Sequence, residues 1–331
     1  MNNNFSSRLL WPDVLKSFAI FLVILGHVSS VYDSRGYSSP IALWIYSFHM
    51  PLFMMLSGMF FKYSLKKEFK ILLTDKSRLL LLPLLSWGIM NFSIETLLFT
   101  DIDIMGGGVI IEYIKSGGPL RGYWYLKCLF IYLIVNYLLV IWTKRLPIAA
   151  LLSIILFLIL PNINFSRMMI VFFWMGVFFE DIQRTIGKKI LFFISSVAMV
   201  VCYLLLDLKA TYLCTSNSMI LFIQFLLIGT SASFFWITLF ERLFPLQYTS
   251  KSVLLLQEVG TLSLGIYCIH EFFYFEKLYR PIIDTLDKDN AIFQILYSVV
   301  ILVLSFSIIK LISRCKYLAL IFLGRKIHSK Q

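Results

Sequence analysis

Two ionisable residues on the first apolar stretch have a spacing that could serve chemistry. Lys16 stands near its start and His27 eleven residues on. At about 100° and 1.5 Å per helical residue, both fall on one face, roughly 16 Å apart along the axis. Ionisable groups within hydrocarbon are costly, so each marks a candidate functional position. A neutral imidazole can take a proton near physiological pH, as a general base on a hydroxyl must. The plainer alternative is an interhelical hydrogen bond, which polar residues in membrane bundles often make. His49 and the pair His270-Glu271 extend the pattern to two further apolar stretches. Asp13, one turn before Lys16, can pair with it. Lys16, Lys76 and Arg78 cluster at one membrane edge, and Lys16 and Arg78 lie at helix starts, where a phosphate-binding role suits a cation. Topogenic charge is their bland reading, and it suffices for Lys62, Lys66, Lys67 and Lys70.

The elements that must carry these residues are apolar spans. The chain has 331 residues, 59% hydrophobic and 15% charged, with mean hydropathy +0.84. Soluble domains run near a quarter charged, and repeated runs of about 20 apolar residues define an all-α polytopic membrane protein. Ten spans are expected: 11–32, 41–61, 79–99, 123–142, 146–160, 166–179, 190–206, 218–240, 260–275 and 291–312. With no soluble segment left over, the chain reads as one membrane-embedded domain, 1–331. The first span is too long for a signal-peptide core and lacks an A-x-A-like site, so it is expected to stay. Pro161, Asn162 and Asn164 mark the turn between the short fifth and sixth spans.

The net charge of +12 sits between spans, where positive-inside topology places it, and nucleic acid is not an expected partner. With both termini in the cytoplasm, only Arg35, Lys115, Arg121, Lys127, Arg167, Lys209, Lys277, Arg280 and Lys288 of the 30 Lys and Arg lie at the outer side. That orientation puts Lys16 at the cytoplasmic edge and His27 in the outer half. His49 then lies about 12 Å below the outer end of the second span at 1.5 Å per residue. His270 and Glu271 fall past the middle of the ninth. Three of four histidines thus share a depth, and His328 alone is in a tail. The separation from Lys16 to His27 is about the length of an extended phosphopantetheine arm, so a thioester donor could lie along this face.

The remaining features narrow the class. Cys128, Cys202, Cys214, Cys268 and Cys315 are scattered and odd in number, with no C-x-x-C, so neither a disulfide framework nor a metal site is expected. The long external loop 100–122 carries Gly106-Gly107-Gly108 and Gly117-Gly118, and reads either as a connector or as a lid over an acceptor site.

Five short motifs then occur in order. Asp13-Val14-Leu15-Lys16 with ten residues before His27 comes first. Phe48-His49-Met50-Pro51-Leu52-Phe53 with Ser57-Gly58 follows on the second span, and Arg78 ahead of Pro83 on the third. Trp124-Tyr125-Leu126 follows the long loop, and Leu262-Ser263-Leu264-Gly265-Ile266-Tyr267-Cys268-Ile269-His270 comes late. Together, over nearly the whole chain, they resemble the acyltransferase-3 family of polytopic membrane O-acyltransferases, which modify bacterial surface glycans and other carbohydrates. Lys16 stands where the family's Arg is commoner, which forfeits bidentate phosphate geometry. No esterase-like soluble domain is expected after the tenth span, which favours a reaction within the membrane domain.

The resemblance implies acetyl or another acyl group passing from cytoplasmic acyl-CoA to a hydroxyl of a surface glycan or its lipid-linked precursor. Acyl-CoA is then a co-substrate, with no permanently bound cofactor, and the enzyme sits among lipids of a bacterial cytoplasmic membrane. His27 would be the catalytic base or carry the acyl group, and His49, His270 and Glu271 would orient it or the acceptor. Lys16, Lys76 and Arg78 would hold the donor, with Asp13 beside them. Ser57, Trp124 and Tyr267 would serve substrate binding or structure. The rival class is a glycan or lipid transporter, which inverted repeats and paired Gly/Pro-broken helices would betray, and neither is visible. The oligomeric state is left open.

Overall fold

The computed structural model describes residues 9–33, 35–99, 123–159, 166–208, 219–245, 250–274 and 289–326, and among these there are helices and no strand. The first helices are α1 (Trp11–Tyr32), α2 (Pro40–Tyr46), α3 (His49–Met59), α4 (Phe61–Ser64), α5 (Phe69–Lys76) and α6 (Leu82–Phe99). Next come α7 (Trp124–Thr143), α8 (Leu146–Ile159), α9 (Ser166–Val177), α10 (Phe179–Ile186) and α11 (Lys188–Leu205). The last are α12 (Met219–Leu243), α13 (Lys251–Thr261), α14 (Ser263–Ile269), α15 (Ala291–Arg314) and α16 (Lys316–Leu323). Among the described residues, seven helical stretches are long and apolar enough to cross a bilayer: Trp11–Val31, Pro40–Ser64, Phe69–Ile94, Trp124–Thr143, Lys188–Leu205, Met219–Leu243 and Ala291–Arg314. The bent pair Lys251–Thr261 and Ser263–Phe273 makes up to eight, and Leu146–Ile159 and Met168–Val177 are shorter apolar helices. All ten expected positions carry apolar helix, but the tenfold count of full spans does not follow from length. The long loop 100–122, the turn at Pro161 and the tail with His328 lie outside the described residues.

Three helices depart from their expected form, each with a local cause. The second span breaks at Ser47–Phe48, where Phe48 has φ −144°. Pro51 lacks an N–H and its ring crowds the carbonyl four residues back, so the α-ladder stops there. The third starts ten residues before Leu79 and passes through a π-turn, Ser77–Leu81, which holds Arg78; such turns recur at functional sites. The ninth is two helices parted at Leu262, and His270 and Glu271 lie in the 3-10 turn His270–Tyr274 rather than inside a helix.

The chain divides into two compact units. The first comprises Met1–Lys62, Ile154–Ser263 and Asp287–Leu302. Its centre is α1, packed on α13, α2, α12 and α3. Val14, Leu15, Ala19, Ile20, Val23, Ile24 and Val28 are all buried. Small residues set how closely the helices approach, as they do where lipid is as apolar as the side chains. A β-carbon on Gly58 of α3 would overlap the Phe173 carbonyl of α9, 2.9 Å from its carbon, and one on Gly176 would sit 2.8 Å from the Met55 carbonyl carbon. Gly260 of α13 likewise lies against the Asp13 backbone of α1.

The second unit comprises Tyr63–Ser153, Leu264–Leu286 and Val303–Gln331. Here α6 packs on α16, and Trp87 Nε1 donates to Phe322 O at 2.9 Å. Gly324 ends α16 with φ +62°, a left-handed turn in which a β-carbon would strike the Arg78–Leu79 backbone.

Candidate functional site

In the first unit the motif residues of α1 and α3 meet around Tyr46. His27 stands edge-on to the Tyr46 ring at 6.1 Å between centroids, and His49 lies 5.2 Å from the same ring. The break at Ser47–Phe48 makes this possible, because it ends α2 just after Tyr46 and starts α3 at His49. Gly26 provides the slot: a β-carbon there would be 3.1 Å from Tyr46 Cε1 and from Ile45 Cγ2. The Tyr46 hydroxyl lies 3.0 Å from Ser30 Oγ, and Ser30 Oγ also donates to the His27 carbonyl. Tyr46 is thereby held to the helical turn that carries His27.

Protonation of His49 follows from its partner. Its Nδ1 lies 2.9 Å from Ile45 O. A carbonyl only accepts, so Nδ1 carries the hydrogen and Nε2 of the neutral ring keeps the lone pair. The three membrane histidines also differ in access. His49 is 5% exposed and His270 0%, whereas His27 is only half-buried. Of the three, His27 is the one not fully enclosed.

Lys16 sits at the other end of the same face. Its Nζ donates to Asp13 Oδ1 at 3.2 Å and lies 5.3 Å above the Phe60 ring. Asp13 is buried and Lys16 about a quarter exposed, so the carboxylate steers a cation that still meets solvent. Between the two ends Ile20 and Val23 are buried under neighbouring helices, so this stretch of the face is not the open track expected for a thioester. Ser57 adjoins the Gly58 crossing of α3 with α9.

Beyond His27, at the C-terminal end of α1, lies a second polar group. Asp33 accepts from Arg35 Nε at 2.8 Å, from Arg35 Nη2 at 2.7 Å and from the Arg35 backbone N–H at 2.9 Å. Gln294 Nε2 of α15 donates to the same carboxylate at 3.1 Å, and Gln294 Oε1 accepts from Ser29 Oγ at 2.7 Å. The Arg35 guanidinium holds the Asp33 carboxyl well below the ordinary carboxylate range, against the upward pull of burial.

The second unit gathers the other site residues. Tyr267 is surrounded by Tyr123 at 6.1 Å, Tyr125 at 5.9 Å and His270 at 5.8 Å between centroids. Tyr123, left-handed at φ 51°, starts α7 and donates its hydroxyl to Cys268 O at 3.0 Å. His270 Nδ1 lies 2.6 Å from Tyr267 O, so it too carries the hydrogen. Trp124 packs against Tyr125 at 6.4 Å, and Glu271 follows His270 in the 3-10 turn.

The basic cluster of this unit is built on Asp75. Lys67 Nζ approaches Asp75 Oδ2 at 2.7 Å, while Arg78 Nη2 and Lys326 Nζ approach Oδ1 at 3.1 Å each. Arg78 Nε donates to Gly324 O at 3.1 Å, which joins the chain end after α16 to the π-turn. Lys76 adjoins Asp75 in sequence. One carboxylate faces three cations, and the excess positive charge suits an anionic ligand.

The first unit thus unites Lys16, Asp13, His27 and His49, while Lys76, Arg78, Trp124, Tyr267, His270 and Glu271 belong to the second. Sequence reasoning missed Tyr46, Ser30, Asp33 and Gln294, and gave Lys67 a topogenic role only. Asp75, one of two acids with Glu68 inside the basic run from Lys62 to Arg78, was the available signal for that cluster. Tyr46 offered none, since an aromatic residue near a span end is ordinary. Among the described residues no group of three or more His, Cys, Asp or Glu could hold a metal ion.

No curated protein and no solved structure matches the chain. A family model described as an acyltransferase domain matches residues 9–310, nearly the whole chain. That match spans the α1 face with Lys16 and His27, the His49 segment and the His270 turn. The chain therefore belongs to the acyltransferase-3 family and is a multi-pass membrane acyltransferase.

Proposed function

We propose that the protein transfers an acyl group, acetyl in the first instance, from acyl-CoA to a hydroxyl of a cell-surface glycan or its lipid-linked precursor. The enzyme would sit in a bacterial cytoplasmic membrane with both termini inside. The observation that carries the reading is the placement of His27, half-buried where His49 and His270 are buried, on the same face as Lys16. His27 takes the proton of the acceptor hydroxyl, whose oxygen attacks the thioester carbonyl carbon. The C–S bond breaks, and the proton passes to the departing thiolate. Tyr46 and His49 hold the imidazole in place. Lys16, steered by Asp13, binds a donor phosphate, and in the second unit the cations around Asp75, Arg78 among them, with Lys76, suit an anionic group. His270, Glu271 and Tyr267 orient the acceptor.

The test uses purified protein, radiolabelled acetyl-CoA and lipid-linked glycan. His27→Ala is expected to lower transfer by at least the roughly 10²–10⁴-fold typical of a lost general base. Equal transfer by His27→Ala refutes the assignment. Acid quenching during turnover separates the two possible roles, since label trapped on the protein marks His27 as an acyl carrier. Lys16→Ala removes a charge-assisted contact of about 1.5–3 kcal/mol and should weaken donor binding roughly 10- to 100-fold, with acceptor binding kept. Equal loss of both points to folding.

A further inference from the structure

The group at the end of α1 has no part in the mechanism above, yet it leads directly to His27. The 3-10 turn Gly36–Ser38 follows Asp33 and presents Tyr37, the most exposed of the rings in this group at 54%. From Tyr37 to Tyr46 the ring centroids are 6.1 Å apart, and from Tyr46 to His27 another 6.1 Å. An exposed aromatic residue is therefore two ring steps from the His27 imidazole. Beside it, Arg35 is half exposed and its guanidinium plane is fixed by two bonds to the buried Asp33. Gln294 and Ser29 fix Asp33 in turn, so the fork does not swing. Gly36, at φ +56° and with a β-carbon position 3.7 Å from Ser30 O, supplies the left-handed residue that lets the turn display Tyr37 next to Arg35.

We propose that Tyr37 and Arg35 form a saccharide subsite beside His27, which holds a neutral sugar ring next to the one that is acylated. It rests on the reading of His27 as the reacting imidazole and of a glycan as acceptor. The C–H face of a pyranose carries weak positive charge and stacks on the negative face of an aromatic ring. Guanidinium N–H groups left over from Asp33 donate to ring hydroxyls. The two steps keep Tyr37 and His27 within about 12 Å of one another, a span that a sugar ring and its bonded neighbour can bridge. Neutrality follows from charge: Asp33 cancels Arg35, and Asp289 acts electrostatically on Arg35 as well. An acidic sugar would meet a site with no surplus positive charge.

Saturation-transfer NMR on the detergent-solubilised full chain tests this. The probes are methyl glycosides of glucose, galactose and mannose, methyl β-maltoside and methyl β-lactoside, with methyl β-glucuronide as the acidic member. Saturation is expected on the ring C–H protons of neutral probes, most strongly the disaccharides, and weakest on the glucuronide. Tyr37→Ala should raise the half-saturating concentration roughly tenfold, the size of one lost aromatic stacking contact. Tyr37→Phe and Tyr37→Trp should stay near the wild type, and Arg35→Lys should rise several-fold. Three results overturn the subsite: no neutral probe binding the wild type, Tyr37→Ala binding unchanged, or Tyr37→Ala losing thermal stability alone, as an interfacial anchor would. Acetyl transfer by His27→Ala, measured in parallel, judges the other reading separately. Its activity bears on His27, whereas glycoside binding by the Tyr37 variants bears on the subsite.

Discussion

Replacing Gly58 with Ala asks whether the crossing of α3 and α9 holds the site. The new methyl would lie 2.9 Å from the Phe173 carbonyl carbon and 3.1 Å from Val177 N, and would overlap the Phe173 oxygen. Ordinary carbon contacts are at about 3.5–4.0 Å, so the helices must part by about 0.5–1 Å. Both obstacles are backbone, and no flexible side chain can swing aside. The cost therefore sits near the upper end of the overpacking range, about 3 kcal/mol. For a chain this size each kcal/mol lowers Tm by about 2–4 °C, so a fall on the order of 10 °C is expected by fluorescence-detected size-exclusion chromatography after heating. Because α3 begins at His49, the displacement also reaches the Tyr46–His49 contact, and transfer should fall in protein that is still folded. Gly176→Ala burdens the same crossing from the other side, so the double variant should lose less than the two singles added. A Gly58→Ala protein with Tm within 2 °C of wild type and full transfer would refute the close crossing.

Two other perturbations follow from the charges. Asp75→Asn leaves Lys67, Arg78 and Lys326 without their carboxylate; acyl-CoA should then bind several-fold tighter at low salt, with the gain lost as salt screens it, while thermal stability falls. Unchanged donor binding in titration calorimetry would remove this cluster from the donor site. Asp33 has its carboxyl depressed in the fold, so its contribution to stability is present above the ordinary carboxylate pKa of about 4 and is lost as pH falls below it toward the folded value. The Tm gap between wild type and Asp33→Asn should hold constant from pH 8 to about 5 and close at more acid pH; a gap that widens on acidification would contradict the assigned partners.

Much of the helical framework was readable before any coordinate. The span Trp11–Tyr32 is α1 residue for residue, because a long apolar run with Pro near its start leaves few alternatives. The shared face of Lys16 and His27 followed from helical pitch, and the pairing of Asp13 with Lys16 from i, i+3 spacing. Hydropathy could not see the break at Ser47–Phe48 or the π-turn at Arg78, since averages over a window are blind to which carbonyl finds which amide.

The tertiary structure decided the partnerships. Tyr46 reaches His27 because a glycine slot at position 26 lies one helix away, and Gln294 reaches Asp33 across 261 residues of chain. Asp75 meets Lys326 only because the left-handed Gly324 turns the end of α16 back toward the π-turn. Periodicity along one strand of sequence sets which residues share a face. Which face meets which is settled by close packing between distant segments, and that is where the two histidines of the first unit acquire a common tyrosine.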